Sequence, residues 1–297
     1  MSAKLSPEAL LSEYFGPFAV PAWKLLPSIE AATKKQTYAF MDLEAFNALV
    51  PKEPEQAQAI YWREMMLRIH LACCTSLRRH GEWLNALLVA VEARSFFGVC
   101  SAYRGFLESA ADSVYSLGGV PTTIASNLPS IINRLKGRPT DTVVASKELE
   151  DRLIHFTHGR KLDRGESADP VHAARQIREY LNSLKEAGVP EVHGLYAELC
   201  SITHPSAKSV MIWFEETKER HEVVWRRSTI APEQRIAGLL KHWKGTNVGV
   251  MNAAFVPVFM SLRILHKLDF LPKIPSLKFF PLDCFPRWKN IERQISK

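Results

Sequence analysis

Cysteine is scarce in this chain: five among 297 residues, none of them in a CxxC pair. That excludes a disulfide-stapled scaffold and argues against a Cys-rich zinc site. The glycine signatures of phosphate and nucleotide binding are missing too. There is no GxxxxGK[ST] loop, no GxGxxG after a strand, no GxSxG elbow, and neither HExxH nor a Glu-x-x-His pair. P-loop nucleotide hydrolysis, Rossmann redox chemistry, serine-hydrolase chemistry and a ferritin-like di-iron centre therefore lose their basis. No repeat or low-complexity tract is visible, and MSAKLSPEALL lacks the basic and then apolar opening of a secretory signal. No cofactor and no metal are expected, and the compartment is expected to be reducing and cytoplasmic.

What remains is a globular composition with 46% hydrophobic and 23% charged residues, which excludes a disordered or fibrous chain. The formal charge of +7 is unevenly placed. Residues 217–297 carry 15 Lys/Arg against 6 Asp/Glu, while residues 1–216 are slightly acidic. A basic last quarter suits a polyanion such as RNA, and equally suits a merely solvated face.

Helix signals dominate. Ser6-Pro7-Glu8 and Asp42 open short helices, the second stopped by Pro51. A helical spacing over Glu55–Arg79 is expected to end at His80-Gly81, and a long central helix follows over 82–117. Further helices are predicted near 122–136, 146–158, 170–187 and 191–204, with the polar Gly159–Asp169 stretch as a mobile loop. Ser209–Phe214 and His221–Trp225 are β-branched and aromatic, so a hairpin is expected over about 209–227 with TKER as its connection. Helix returns over Pro232–Lys244 and Val248–Leu268. The apolar core of the latter, near 17 residues with two asparagines and a proline, is short for a membrane span and reads as a buried helix. In the tail, Pro272, Pro275, Pro281 and Pro286 fall among Phe270, Phe279, Phe280, Phe285 and Trp288. Prolines at that density argue against regular helix, so an extended tail is expected, packed on the body or docking a partner.

The fold class expected is mainly α, a multi-helix bundle around the 82–117 helix with one small β-hairpin. Residues 1–54 are read as short packing helices, 55–268 as the core domain and 269–297 as the Pro/aromatic tail.

Three polar constellations look out of place. Arg104 and Glu108 sit four apart on a helix otherwise rich in small residues, with Ser101 and Asp112 extending the row. Such a pair either fixes the packing or forms part of a site. Tyr196, Leu199, Cys200 and His204 share one face of a later helix; His204 meeting Arg104 and Glu108 would make an acid–base or anion-binding cluster. Asp151, His155 and His158 fall at i, i+4 and i+7, three potential metal ligands that would need a fourth such as His172.

Arg152 and His158 fit the Arg-x(4–6)-His spacing of HEPN ribonucleases, in which Arg and His act on the RNA backbone. Arg63/His70 and Arg235/His242 share that spacing, close to the number chance provides, and Leu153 follows Arg152 where that family carries a polar residue. At larger scale, a long helix with AYRGFLESAADSVY, a later LYAELCSITHPSA, a hairpin and an apolar helix resemble uncharacterised bacterial helical families. Some of these are HEPN-like and occur among stress and phage-defence proteins. The resemblance covers about residues 55–268 and implies an RNA-directed protein, with Arg104, Glu108 and His204 as the emphasised positions. The alternative is a non-enzymatic assembly module engaging a protein partner or a second copy through the basic, Pro/aromatic end. Peripheral attachment to an anionic membrane is a third, weaker reading.

Overall fold

Local signals do much of the early work. The Ser6 hydroxyl accepts from the Ala9 amide at 3.2 Å and opens α1 (Pro7–Phe15); Asp42 accepts from Ala45 at 2.8 Å and opens α3 (Leu43–Leu49). Between them lies α2 (Ala19–Thr33), which the sequence reading missed because it carries Pro21 and Pro27. Its buried face, Ala22, Leu25 and Ile29, packs on α4 (Pro54–Glu92). The computed structural model describes residues 6–138 and 145–296; the opening MSAKL and the final residue of the tail lie outside that range.

The expected break at His80-Gly81 does not occur. Helix α4 runs through it, with His80 wholly buried and its Nε2 facing the Ser109 carbonyl at 3.3 Å. Gly81 serves close approach instead: a Cβ there would come within 3.0 Å of Leu26. The chain turns at Ala93–Ser95, where Arg94 adopts a left-handed backbone (φ 56°) and Ser95 caps α5 (Phe96–Leu117) through the Gly98 amide. The central helix therefore starts at 96, and residues 82–92 are the last turns of its antecedent. Together α4 and α5 form the spine of the bundle.

Around that spine pack α6 (Val120–Leu135), α7 (Lys147–His158), α8 (Ile177–Glu186) and α9 (Val192–Thr203). The helix expected over 170–187 is shorter. Residues 170–172 make a single 3-10 turn, and Ala174 donates to the Arg160 carbonyl at 2.8 Å while Arg160 donates to that of His172 at 2.9 Å. The polar 159–169 stretch is thereby tied to the body, and an Arg160–Glu166 ion pair closes it.

Next come α10 (Ala207–Met211), β1 (Phe214–Glu219), β2 (Glu222–Arg227), α11 (Pro232–His242) and α12 (Lys244–Leu265). The hairpin is present but narrower than expected. Ser206 caps residues 207–211 into a helical turn, and the reversal is Arg220-His221, so Thr217–Glu219 belong to the first strand. Helix α12 is, among the described residues, the one long and apolar enough to cross a membrane, yet it runs through the core. Its Asn247 is fully buried, accepting from the Tyr103 hydroxyl and donating to the Leu240 carbonyl at 2.9 Å.

The tail corrects another expectation. Prolines do break it into 3-10 turns at Pro275–Phe279 and Leu282–Cys284, but Pro286 opens α13 (Pro286–Ile295) rather than preventing it. Phe280 packs on Phe259 at 4.6 Å between ring centres and Phe285 on Phe18 at 4.8 Å. Arg287 donates to the Gly118 carbonyl at 2.7 Å. One hydrophobic cluster consequently extends from Leu10 to Ile291.

Candidate functional site

Four polar residues of α5, Arg104, Glu108, Asp112 and Tyr115, lie within about 80° of one another around the helix, given 100° per residue. They form a stripe that meets partners from α4, α7, α8 and α9, and it holds two separate Arg/His clusters.

In the first, Arg104 is the hub. Its Nη1 lies 2.8 Å from His204 Nε2 and donates to Thr203 Oγ1 at 3.1 Å, while its Nε sits 3.4 Å from Glu108 Oε1. The same carboxylate oxygen accepts from the Tyr196 hydroxyl at 2.9 Å. Burial, with the Cys200 thiol and Glu108 beside it, pushes the Tyr196 phenol upward, so it stays a proton donor to Glu108. An arginine N–H can only donate, so the His204 Nε2 facing it is the acceptor nitrogen of a neutral imidazole. Helix α9 carries His204 to this place because Trp243 and Lys208 both bond Glu198, at 2.6 and 2.8 Å, and Pro205 stops the helix directly after it. The Arg104 side chain is 27% exposed and His204 lies open to solvent, so an anion can reach both. Trp83, 40% exposed, covers Gly105 so closely that a Cβ would meet its ring at 2.6 Å.

The second cluster is eleven residues further along α5, about 16 Å at 1.5 Å per residue. Arg152 donates to the Tyr115 carbonyl at 3.1 Å and to Glu148 at 2.7 Å; its guanidinium and that of Arg175 flank the Tyr115 ring at 5.5 and 5.2 Å. His155 is buried with both nitrogens engaged, by the Val171 carbonyl at 2.7 Å and the Tyr180 hydroxyl at 2.6 Å. His158 is exposed against His172. Six positions on a helix amount to about 240° of rotation, so Arg152 and His158 leave α7 in different directions. Asp151 turns to Lys147 at 3.0 Å, and among the described residues no group of three potential ligands could hold a metal ion. Asp112 joins neither cluster; it pairs with Arg79 at 2.5 Å.

Sequence reasoning missed a cleft of about 780 Å³ between α2 and α4, because it missed α2. Tyr38, Cys74, Arg78 and Asn85 line it. Burial pushes its Cys74 thiol up to about 11, and the Tyr38 hydroxyl beside it bonds His70 Nδ1 at 2.7 Å.

The basic last quarter is partly structural. Arg263 bonds the Leu277 carbonyl, Lys273 that of Leu268 and Arg287 that of Gly118, so three of its cations fasten the tail. Lys218, Arg220, Arg227, Lys241 and Lys244 remain exposed.

No family model, curated protein or solved structure matches the chain. The chemical reading of the site therefore rests on its own geometry.

Proposed function

We propose that this chain is an RNA-directed protein of the HEPN-like kind, serving bacterial stress or phage defence, with the Arg104–Glu108–His204 cluster as its phosphate site. The observation that supports it most is the 2.8 Å contact between Arg104 on α5 and His204 at the end of α9. A cation adjoining a neutral imidazole, both reachable from solvent, is what cleavage of an RNA backbone needs. On arrival of a phosphate, Arg104 N–H groups turn from His204 to a non-bridging oxygen, where they stabilise the developing charge. The freed Nε2 then takes the proton of the neighbouring 2′-hydroxyl as that oxygen attacks phosphorus; the departing 5′-oxygen takes a proton from water. Glu108, held by Tyr196, orients the guanidinium. Trp83 supplies an exposed aromatic surface beside Arg104 on which an unstacked base can rest.

Incubation of the purified protein with total RNA at low salt tests this, with His204→Ala and His158→Ala in parallel. Cleavage should fall about 10²–10⁴-fold in the first and stay within about twofold in the second, because among the described residues His158 has no arginine partner. Equal activity in wild type and His204→Ala would remove the site.

The second reading, a non-enzymatic assembly module, draws its support from the hairpin, where Phe214, Val223 and Trp225 are all more than 40% exposed. Under it no cleavage occurs, and the Arg104–His204 contact serves only to join α5 to α9.

A further inference from the structure

We infer that β2 is a self-pairing edge, through which two copies of this chain join their hairpins into one four-stranded antiparallel sheet. The strands are exposed along nearly their whole length, and β1 is the only strand β2 pairs with among the described residues. Which groups face outward follows from the register. Ser228 donates to the Trp213 carbonyl at 2.8 Å, in line with the pairing Glu222↔Glu219, Val224↔Thr217 and Arg226↔Glu215. Even-numbered residues of β2 thus direct their backbone groups to β1, and by alternation Val223, Trp225 and Arg227 direct theirs outward.

Two identical antiparallel strands that lie side by side are related by a twofold axis normal to the sheet, so only residues of like parity can stand opposite each other. Centred on Val224, that axis places Val223 opposite Trp225 of the second copy, twice, as outward-bonding pairs. It also places Glu222 opposite Arg226, twice. The result is four backbone hydrogen bonds, two aromatic–β-branched pairs and two ion pairs. Shifted to centre on Trp225, the axis would set Arg226 against Val224 and form no ion pair.

The other edge gains nothing from charge. Centred on Glu216, β1 opposes that glutamate to its own copy. Centred on Thr217, it sets Glu216 against Lys218 but also Glu215 against Glu219, so attraction and repulsion offset each other. Charge therefore selects β2. Within one chain Glu222 stands across from Glu219, a like charge, while Arg226 bonds Glu219 at 2.6 Å; Glu222 has no ion-pair partner among the described residues. The second copy's arginine supplies one.

Sedimentation equilibrium of the full chain, loaded between roughly 1 and 100 µM, reads the assembly. The wild type should pass from 33.6 kDa to twice that mass. Glu222→Arg should raise Kd roughly 30-fold, although it leaves the hairpin intact because the introduced guanidinium then faces Glu219. The swap Glu222→Arg with Arg226→Glu should restore dimerisation. A wild type that stays monomeric, a Glu222→Arg chain that dimerises as well as wild type, or a swap that fails to restore it would each overturn the assignment.

Discussion

The two Arg/His clusters along α5 differ in a way their spacing in the sequence hides. Arg152 and His158 are six positions apart on one helix and do not meet; Arg104 and His204 are separated by a hundred residues and lie 2.8 Å apart. In the cluster around Tyr115, the one buried histidine has both nitrogens occupied by fixed partners, and the arginines stack on a ring. Around Arg104, the cation and the imidazole contact each other at the surface. Fully satisfied polar groups rigidify a core, whereas a pair that can exchange its mutual bond for a ligand is free to do chemistry.

That contrast can be broken from several sides. The largest effect expected is the 10²–10⁴-fold loss of RNA cleavage in His204→Ala set against none in His158→Ala. Next is acid sensitivity, which arises from histidines that neither cluster contains. Burial holds His70 and His266 down at about 4 and His80 at about 3, because the charged imidazole is desolvated there. In the unfolded chain all three recover their ordinary proton affinity near 6.5, so acid favours unfolding. Stability is then complete above about pH 6.5 and falls toward pH 4 by about 1.4 kcal/mol per pH unit for each histidine. Urea melts at pH 7.5, 6 and 5 measure the slope, and His80→Gln should remove about a third of this contribution. A slope unchanged in that variant would show that His80 is not one of its sources.

Smaller again is the stability difference between the clusters. His155→Ala leaves the Tyr180 hydroxyl and the Val171 carbonyl without their buried partner and should cost about 2 kcal/mol. His204→Ala, at the surface, should cost less than about 1 kcal/mol. Equal losses in thermal melts would mean that Arg104–His204 is a structural clamp like its neighbour. The mildest expected change is Gly105→Ala, which drives a methyl into the Trp83 ring and should destabilise by about 1 kcal/mol. Its specific mark is a shift in tryptophan emission as Trp83 is displaced beside the site.

Much of the architecture was legible because it is written in local chemistry. The caps at Ser6 and Asp42, the Pro205 stop and the β-branched and aromatic runs of the hairpin each depend on residues within a turn of one another. The errors arose where packing overrides a local signal. Gly81 resembles a helix end, but contact with Leu26 keeps it inside α4; Ala93-Arg94-Ser95 holds neither glycine nor proline, yet the chain reverses there. Pro27 disguised α2 and with it the cleft on α4. Of the candidate site, the Arg104–Glu108 row was visible as two charges four apart on a small-residue helix. The opposition of His204 was visible only as one arrangement among several, and no periodicity indicates which face of α9 turns toward α5.

The sequence by itself determined a mainly helical chain with one hairpin, the capping residues, the charge asymmetry and the self-complementary order of EVVWRR. These follow from backbone dihedral preferences and side-chain spacing, which act over a few residues. The tertiary structure alone decided which arginine meets which histidine and that the basic tail is fastened to the body. Each of those depends on burying apolar faces from distant segments at once, and the cost of a buried, unpaired charge then fixes which polar groups end up together.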